Sequence, residues 1–391
     1  MSKEDVKSLI EEKKASGEAL HFFCPYRVCP LGAHVDHQFG LVTGFAIDKG
    51  TSFDFFPSDD SSVEVYSENF AGAAEGDLND EYERQYIWAD YLFGAAYALK
   101  KSYTLEKGVK GIVSGSILGG GLSSSASVLL TYLKSLAFVN GINLTSLELI
   151  NLAIEAERNF IGVNVGKLDQ SCEVFSKKDN LLFLDTKTDS SKLVKIPKSM
   201  PDFEIAVIFS GVERKLAGSA YNTRVDECKA ASYALKGFAH LEYGKFNDSY
   251  LRDVPYGIYV QNKDKLPLNW AKRAEHFYTE NERVKKGVKA FQSGNLAEFG
   301  KLVFESGRSS IENYETGSDE LKVLQHIMEN TEGIYGGRFS GAGFNGCAMA
   351  IVNPAKKDSI ERKITSEYLK LFPELKSKFS ITFCKTSDGI N

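Results

Sequence analysis

No stretch of this 391-residue chain reaches 18 consecutive uncharged apolar residues, so no membrane-spanning helix is expected. Positive charge is not in excess either. The 47 Lys and Arg stand against 52 Asp and Glu, a formal net charge of -5. That balance offers no basic face to nucleic acid or to an acidic membrane, while a local basic pocket for a small anion stays open. The six cysteines, Cys24, Cys29, Cys172, Cys228, Cys347 and Cys384, form no CxxC pair and have no histidine cluster beside them. This spacing argues against zinc and for reduced, buried thiols in a cytoplasmic protein. There is no Pro/Gly/Ser-rich linker, no internal repeat and no low-complexity tract. The N-terminal stretch MSKEDVKSLIEEKKASGEAL lacks the apolar core of a secretion signal. It is charged and helical in pattern, with Ser2 and Asp5 placed to cap it.

What is there reads as an α+β protein. LHFFCPYRV, GLVTGFAIDKGTSFDFFP and SSVEVYS are rich in β-branched and aromatic residues, broken by Gly, Pro and Ser-Asp-Asp. They predict strands of a mixed or antiparallel sheet. YIWADYLFGAAYALKKS predicts a helix, as do SSSASVLLTYLKSLAFVNG, ended by Gly141, and SLELINLAIEAERNFIG. VKGIVSGSILGGG reads as a strand running into a glycine turn. Past residue 195, EIAVIFSG, GCAMAIVNP and FSITFCKT read as strands, with helical stretches near 217–240 and 270–330. The expected organisation is an N-terminal α+β domain over 1–195 and a C-terminal α+β domain over 196–391, with a cleft between them.

Residues 118–127, LGGGLSSSAS, carry the clearest chemistry. Three glycines leading into a helix can wrap backbone N–H groups around an anion, and the helix N-terminus adds its positive dipole end. Serine hydroxyls there can cap the helix, bind phosphate oxygens or reach a magnesium ion. The segment is neither a Walker A loop nor a GxGxxG turn.

This loop resembles the phosphate-binding motif of the GHMP kinases, and within that family it is most similar to galactokinases. PYRVCPLGAHVDH resembles the N-terminal galactokinase signature, FIGVNVGKLDQ the stretch bearing the catalytic aspartate, and GGRFSGAGFNGCAMAIV the C-terminal glycine-rich motif. WADY, SAYNTRVDEC and KLVFESGRSSIENYE match further galactokinase-type segments, so the resemblance spans nearly the whole chain in the expected order. It implies the two-domain GHMP kinase fold with the active site in the cleft, ATP as co-substrate and Mg2+ as the metal. The partners implied are a small-molecule sugar and ATP, with a monomer favoured.

The resemblance also implies roles. Asp169 is the base, or the group that orients the attacking hydroxyl. Arg27 would keep Asp169 ionised and offset charge on the moving phosphoryl group. Ser125 and Glu157 are the magnesium candidates. Gly119, Gly120, Gly121, Leu122, Ser123, Ser124, Ser125 and Ala126 form the ATP loop; Gly341 and Gly343 bring backbone close to it; Trp88 and Tyr91, three apart on a helix, flank adenine. Asp36, His34, His37, Tyr221 and Gly166 match sugar-site positions, together with Ala33.

At Ala33 the chain departs from galactokinases, which have Glu-His-Thr-Asp-Tyr where this one has Ala33-His34-Val35-Asp36-His37. That glutamate normally bonds the sugar's C6 hydroxyl, and its loss would leave a buried hydroxyl unpaired. Against a substrate with a carboxylate at C6, the same loss removes a repulsion of about 4 kcal/mol between charges about 4 Å apart at an effective dielectric near 20. Pro-Leu-Gly-Ala-His-x-Asp-His resembles the galacturonokinases, the uronic-acid branch of the group. His37, Arg214, Lys215 and Arg224 are possible partners for the carboxylate. A galactokinase, a kinase for another sugar and a non-catalytic sugar sensor are the alternatives.

Overall fold

The computed structural model describes residues 1–117, 120–212, 218–242 and 244–390. Gly119, Arg214 and Lys215 lie outside the described residues.

The chain opens with α1 (Lys3–Ser16), capped by the reciprocal Ser2–Asp5 bonds expected of it. β1 (Leu20–Val28) and the 17-residue β2 (Leu41–Pro57) pair antiparallel. β3 (Ser62–Ser67), β4 (Ala73–Asp77), α2 (Asp90–Lys100), β5 (Val109–Gly115), α3 (Ser124–Val139) and α4 (Ser146–Glu155) follow. A π-helical turn over 156–161 continues α4. Next come α5 (Leu168–Phe175), β6 (Asn180–Asp185) and β7 (Ser190–Lys195). These strands make one seven-stranded sheet in the order β4-β3-β5-β2-β6-β7, with β1 also on β2. Among the described strands of this sheet only β3 and β5 pair in parallel.

The second half holds β8 (Glu204–Phe209), α6 (Gly218–Phe238), α7 (Tyr256–Asn262), α8 (Leu268–Gln292), α9 (Leu296–Glu312), α10 (Asp319–Glu329), β9 (Ile334–Phe339), β10 (Cys347–Val352), α11 (Lys357–Leu371) and β11 (Ser380–Cys384). Its sheet is antiparallel, in the order β11-β8-β10-β9. CAMAIV and EIAVIF are apolar at every position but one because both faces of this sheet are covered. Ala206, Ile208, Ala348 and Ala350 pack with Leu324 of α10 and Ile364 of α11. The alternate residues Ile205, Val207, Met349 and Ile351 pack with Phe291 of α8 and Phe299 of α9. Each such fully buried side chain contributes about 1.5–3 kcal/mol.

That second cluster does not stop at the C-terminal half. It includes Tyr26, Val28, Phe45 and Ile47 of the first sheet and Leu122 of the glycine loop. We propose to keep the division at 195/196, because it separates the two sheets. Contacts cross it all the same: α8 packs on β2 and β7, and the segment after β11 returns to the first half, where Thr386 bridges Ile47.

Two expectations differ in detail. The helix expected over 86–102 begins at Asp90, so Trp88 lies in the turn before it and only Tyr91 is helical. The helix over 146–161 ends its last six residues as a π turn, stopped by Gly162 at φ 80°.

Candidate active site

Pro25 has no N–H to give to the sheet, and the β1–β2 register shifts between Pro25 and Arg27. Beyond the irregularity Arg27 turns its side chain inward, 4% exposed, toward α5. Its Nε donates to Asp169 Oδ1 at 2.8 Å, and its Nη2 forms an ion pair with the same oxygen at 2.7 Å. Its Nη1 donates to the carbonyl of Gly121 at 3.0 Å and reaches Ser340 Oγ at 3.5 Å. One guanidinium therefore joins the expected catalytic carboxylate, the glycine loop and the C-terminal glycine motif. Burial works to lower its pKa, but the charge and hydrogen bond of Asp169 outweigh it and the net shift is upward. Asp169, in the first turn of α5 and 30% exposed, keeps a face open to a reactant.

The glycine loop is held from both sides. The Cys347 N–H donates to the Gly120 carbonyl at 2.9 Å, and the Arg27 N–H to that of Leu122 at 3.3 Å. A Cβ on Gly341 would sit 2.7 Å from Gly121 Cα, and one on Gly121 would sit 2.7 Å from the Ser340 carbonyl oxygen. Only hydrogens allow the two motifs to close on each other. Gly343 is engaged differently: its carbonyl accepts from the N–H groups of Gly317 and Ser318 at 2.9 and 3.2 Å. Ser123, at φ 63°, ends the loop as N-cap of α3 but makes no capping bond, and its buried Oγ has no partner. Ser124 and Ser125 begin the helix, Ser124 exposed and Ser125 half-buried, while Leu122 and Ala126 are buried. The first N–H groups of α3 thus lack a side-chain cap, the arrangement an anion can use.

Residues 30–38 fold back beside α5. Asp36 accepts from the Leu168 N–H at 3.3 Å. A Cβ on Gly166 would stand 1.9 Å from Asp36 Oδ2, so glycine is required there for the carboxylate to approach. Burial, then the charge of Asp169, pushes the Asp36 carboxyl up to about 6. His34 is buried at φ 62°, stacked on Tyr314 at 4.5 Å, and its Nε2 has no partner. Such backbone outliers gather at functional sites. His37 Nε2 bonds the Tyr314 hydroxyl at 2.9 Å and its Nδ1 meets Gln38 at 3.3 Å. Burial, then His276, lowers it to about 3, so His37 is neutral at pH 7 and is no cation for a substrate carboxylate. Tyr221 stands edge-on to His37, ring centroids 6.1 Å apart. Arg224, one turn on, pairs with Glu227 at 3.2 Å and donates to the Glu315 carbonyl at 3.4 Å, leaving its buried Nε unbonded. Ala33 is buried with Val35, Val42 and Leu168, and its carbonyl accepts from His276 at 3.0 Å.

Glu157, the second residue of the π turn, is 4% exposed and takes a hydrogen bond from Gln170 Nε2. Beside it the buried Oε1 of Gln170 and both carboxyl oxygens of Glu173 have no partner. Burial, then Asp169, pushes Glu173 well up. A wall of hard oxygen acceptors suits a divalent cation such as Mg2+. Among the described residues no three His, Cys, Asp or Glu side chains converge on one metal position. Half-buried Trp88 donates its Nε1 to the Ala71 carbonyl at 3.0 Å, and Tyr91 packs on the same core.

Tyr314, His276, Gln170 and Glu173 were not singled out from sequence. Glu173 could have been, since it follows Asp169 by one helical turn. Tyr314 and His276 carry no local pattern and arrive through the packing of α8 and the end of α9.

The fold, the anion-ready loop and the Arg–Asp pair, its arginine buried and its aspartate open on one face, fit a phosphotransferase. Residues 90–177 match the GHMP kinases N terminal domain and residues 288–370 the GHMP kinases C terminal domain. The chain belongs to the GHMP kinase family, whose members use ATP as co-substrate, and falls among its sugar kinases. It is 37% identical to a galacturonokinase of Arabidopsis thaliana, over 95% of this chain and 93% of that one. It is 33% identical to a galactokinase of Thermococcus kodakarensis, over 95% and 99%. The structure of Lactococcus lactis galactokinase complexed with galactose superposes with a TM-score of 0.89 at 30% identity, over 99% of each chain. A mevalonate kinase, at 17% identity and TM-score 0.64, shares the fold.

Proposed function

We propose that the chain transfers the γ-phosphoryl group of ATP to the anomeric C1 hydroxyl of D-galacturonate, giving the 1-phosphate. The observation that carries this reading is Ala33, a methyl where galactokinases have glutamate, in a signature that keeps His34 and Asp36 and also replaces their tyrosine with His37. Asp36, steered by Gly166 and Leu168, accepts hydrogen bonds from adjacent sugar hydroxyls. His34 offers its unpartnered Nε2 to the same ligand, and Tyr221 lines the site. Asp169, held by Arg27, orients the C1 hydroxyl and takes its proton as the oxygen attacks. Gly120, Gly121 and the first turn of α3 hold the phosphates, with Trp88 and Tyr91 beside the base. Ser125 and Glu157 would hold Mg2+, which offsets phosphate charge when bound. The site works in the cleft of a cytoplasmic enzyme.

ADP release measured with galactose, galacturonate and glucuronate tests the reading. Galacturonate should give the highest kcat/KM; a preference for galactose would restore the galactokinase alternative. Asp169→Asn should abolish turnover on every sugar with ATP binding retained, because an amide cannot take the proton. Near-normal turnover would remove Asp169 from its role.

A further inference from the structure

Arg84 belongs to none of the groups described so far. It lies in the irregular stretch between β4 and α2. Its Nη1 crosses to the end of the π turn and donates to the carbonyls of Phe160, at 3.3 Å, and Ile161. These are helix-end carbonyls with no intrahelical partner, and a cation there also meets the negative end of the dipole. The guanidinium carbon lies 4.0 Å from the centroid of the Tyr86 ring, and Tyr86 has φ 63°. Buried Asp90 fixes the remainder of the stretch. It accepts from the N–H groups of Gln85 and Ile87, both at 3.0 Å, and from the Tyr82 hydroxyl at 2.9 Å. Trp88 is part of this braced segment.

The turn that Arg84 grips is the one that carries Glu157. The Glu157 carbonyl accepts from the N–H of Gly162, the residue after the two carbonyls that Arg84 holds, and from that of Val163 at 2.9 Å. Phe160 packs on Tyr97 of α2 at 5.4 Å. A π turn is rare and strained relative to an α-helix, and its placement depends on such outside contacts.

We propose that Arg84 is a positioning residue that ties the segment carrying Trp88 to the turn carrying Glu157, so that adenine binding and divalent-metal binding are energetically coupled. The inference rests on the placement of base and metal given under Proposed function, and is independent of which sugar is phosphorylated. A ligand that orders one end of the tie lowers the cost of ordering the other, and linkage makes the effect reciprocal.

The test separates base from phosphate. Mn2+ binding in the presence of pyrophosphate is followed by electron paramagnetic resonance, with and without saturating adenosine, which carries the base and no phosphate. In the wild type, adenosine should tighten Mn2+ about fivefold or more, and Mn2+ should tighten adenosine by the same factor. In Arg84→Gln each ligand alone should bind within about twofold of wild type while the ratio falls to about one. A ratio undiminished in Arg84→Gln, or no coupling in a wild type that binds both ligands, overturns the inference alone. Mn2+ binding undisturbed by Glu157→Gln would overturn the metal reading and this inference with it. Should Arg84→Gln fail to fold, Arg84→Lys serves: lysine cannot hold both carbonyls and stack on Tyr86, so coupling should fall by at least about half. Full coupling there overturns the proposal equally.

Discussion

Ala33 brings only a methyl group to a position where galactokinases place a carboxylate. Ala33→Glu should therefore turn specificity toward the neutral sugar. Against galacturonate the new carboxylate meets the substrate's own, and about 4 kcal/mol of repulsion lowers kcat/KM by up to roughly a thousandfold. Toward galactose the same group can accept a bond from the C6 hydroxyl, which is worth about 1.5–3 kcal/mol. Because Ala33 is 7% exposed, some general loss will accompany the change. The measurement is the ratio of kcat/KM for the two sugars, and an undiminished preference for galacturonate would sink the argument. Asp36 gives a second prediction. Its carboxyl is pushed up to about 6, so in the free enzyme it is protonated below that pH and ionised above it. The ionised form only accepts, and strongly, whereas the protonated form turns one oxygen into an O–H donor and loses the charge that strengthens bonds from sugar hydroxyls. On the acid side, kcat/KM for the sugar should fall as pH drops through about 6, because this ratio reports the free enzyme. A profile flat down to pH 5 would show that Asp36 is not the group. The same residue illustrates what was readable. Asp36 and Gly166 both come from the motif resemblance, but why glycine is needed at 166 is visible only in the structure, where the Asp36 carboxylate fills the space of a Cβ.

Among the elements, α3 and the π turn after α4 carry the residues proposed for the phosphates and the metal. Helix α3 was legible because a glycine run, a serine-rich start and an apolar period follow one another in sequence. The π turn was not. AERNFI reads as plain helix, and what widens it is outside contact: Phe160 on Tyr97 and Arg84 on the terminal carbonyls. Trp88 was misplaced on a helix for a related reason, since Asp90 gathers the preceding N–H groups into a turn and delays the helix start. β6 and β7 went unread because DNLLFLDTKTDSSKLVKIP offers one apolar run and one mostly exposed strand. Ser125→Ala and Glu157→Ala test the element-level assignment. Each should raise the magnesium concentration giving half-maximal rate, by about tenfold for Glu157, as for loss of a hydrogen-bonded metal partner. Unchanged magnesium dependence in both variants would mean that the metal is held elsewhere.

At the scale of the molecule, the last described residues fasten the two sheets together. The Asp48 N–H donates to the Lys385 carbonyl and that of Ser387 to the Ala46 carbonyl, both at 2.9 Å. The N–H groups of Gly389 and Ile390 donate at 2.8 Å to the carbonyls of Ser176 and Glu173, the second in α5 with Asp169. At about 0.5–1.5 kcal/mol per bond, these four contribute about 2–6 kcal/mol. Deleting 385–391 should lower Tm by about 2–7 °C and reduce kcat more than it raises KM for ATP, since the loosened helix carries Asp169. A truncated chain with unchanged Tm and kcat would show that the fastening is idle. Sequence alone determined the α+β class, the order of the motifs and the chemistry each could perform, because a phosphate loop or a sugar signature needs its residues at fixed short spacing along one backbone. The pairing of Arg27 with Asp169, 142 residues away, comes from the family resemblance and from no local spacing. Sequence could not set His34 on Tyr314, hold His37 neutral or leave Glu173 buried without a partner. Those depend on which elements pack together, and packing is settled by the shared core that joins β1 and β2 to α8, α9 and the second sheet.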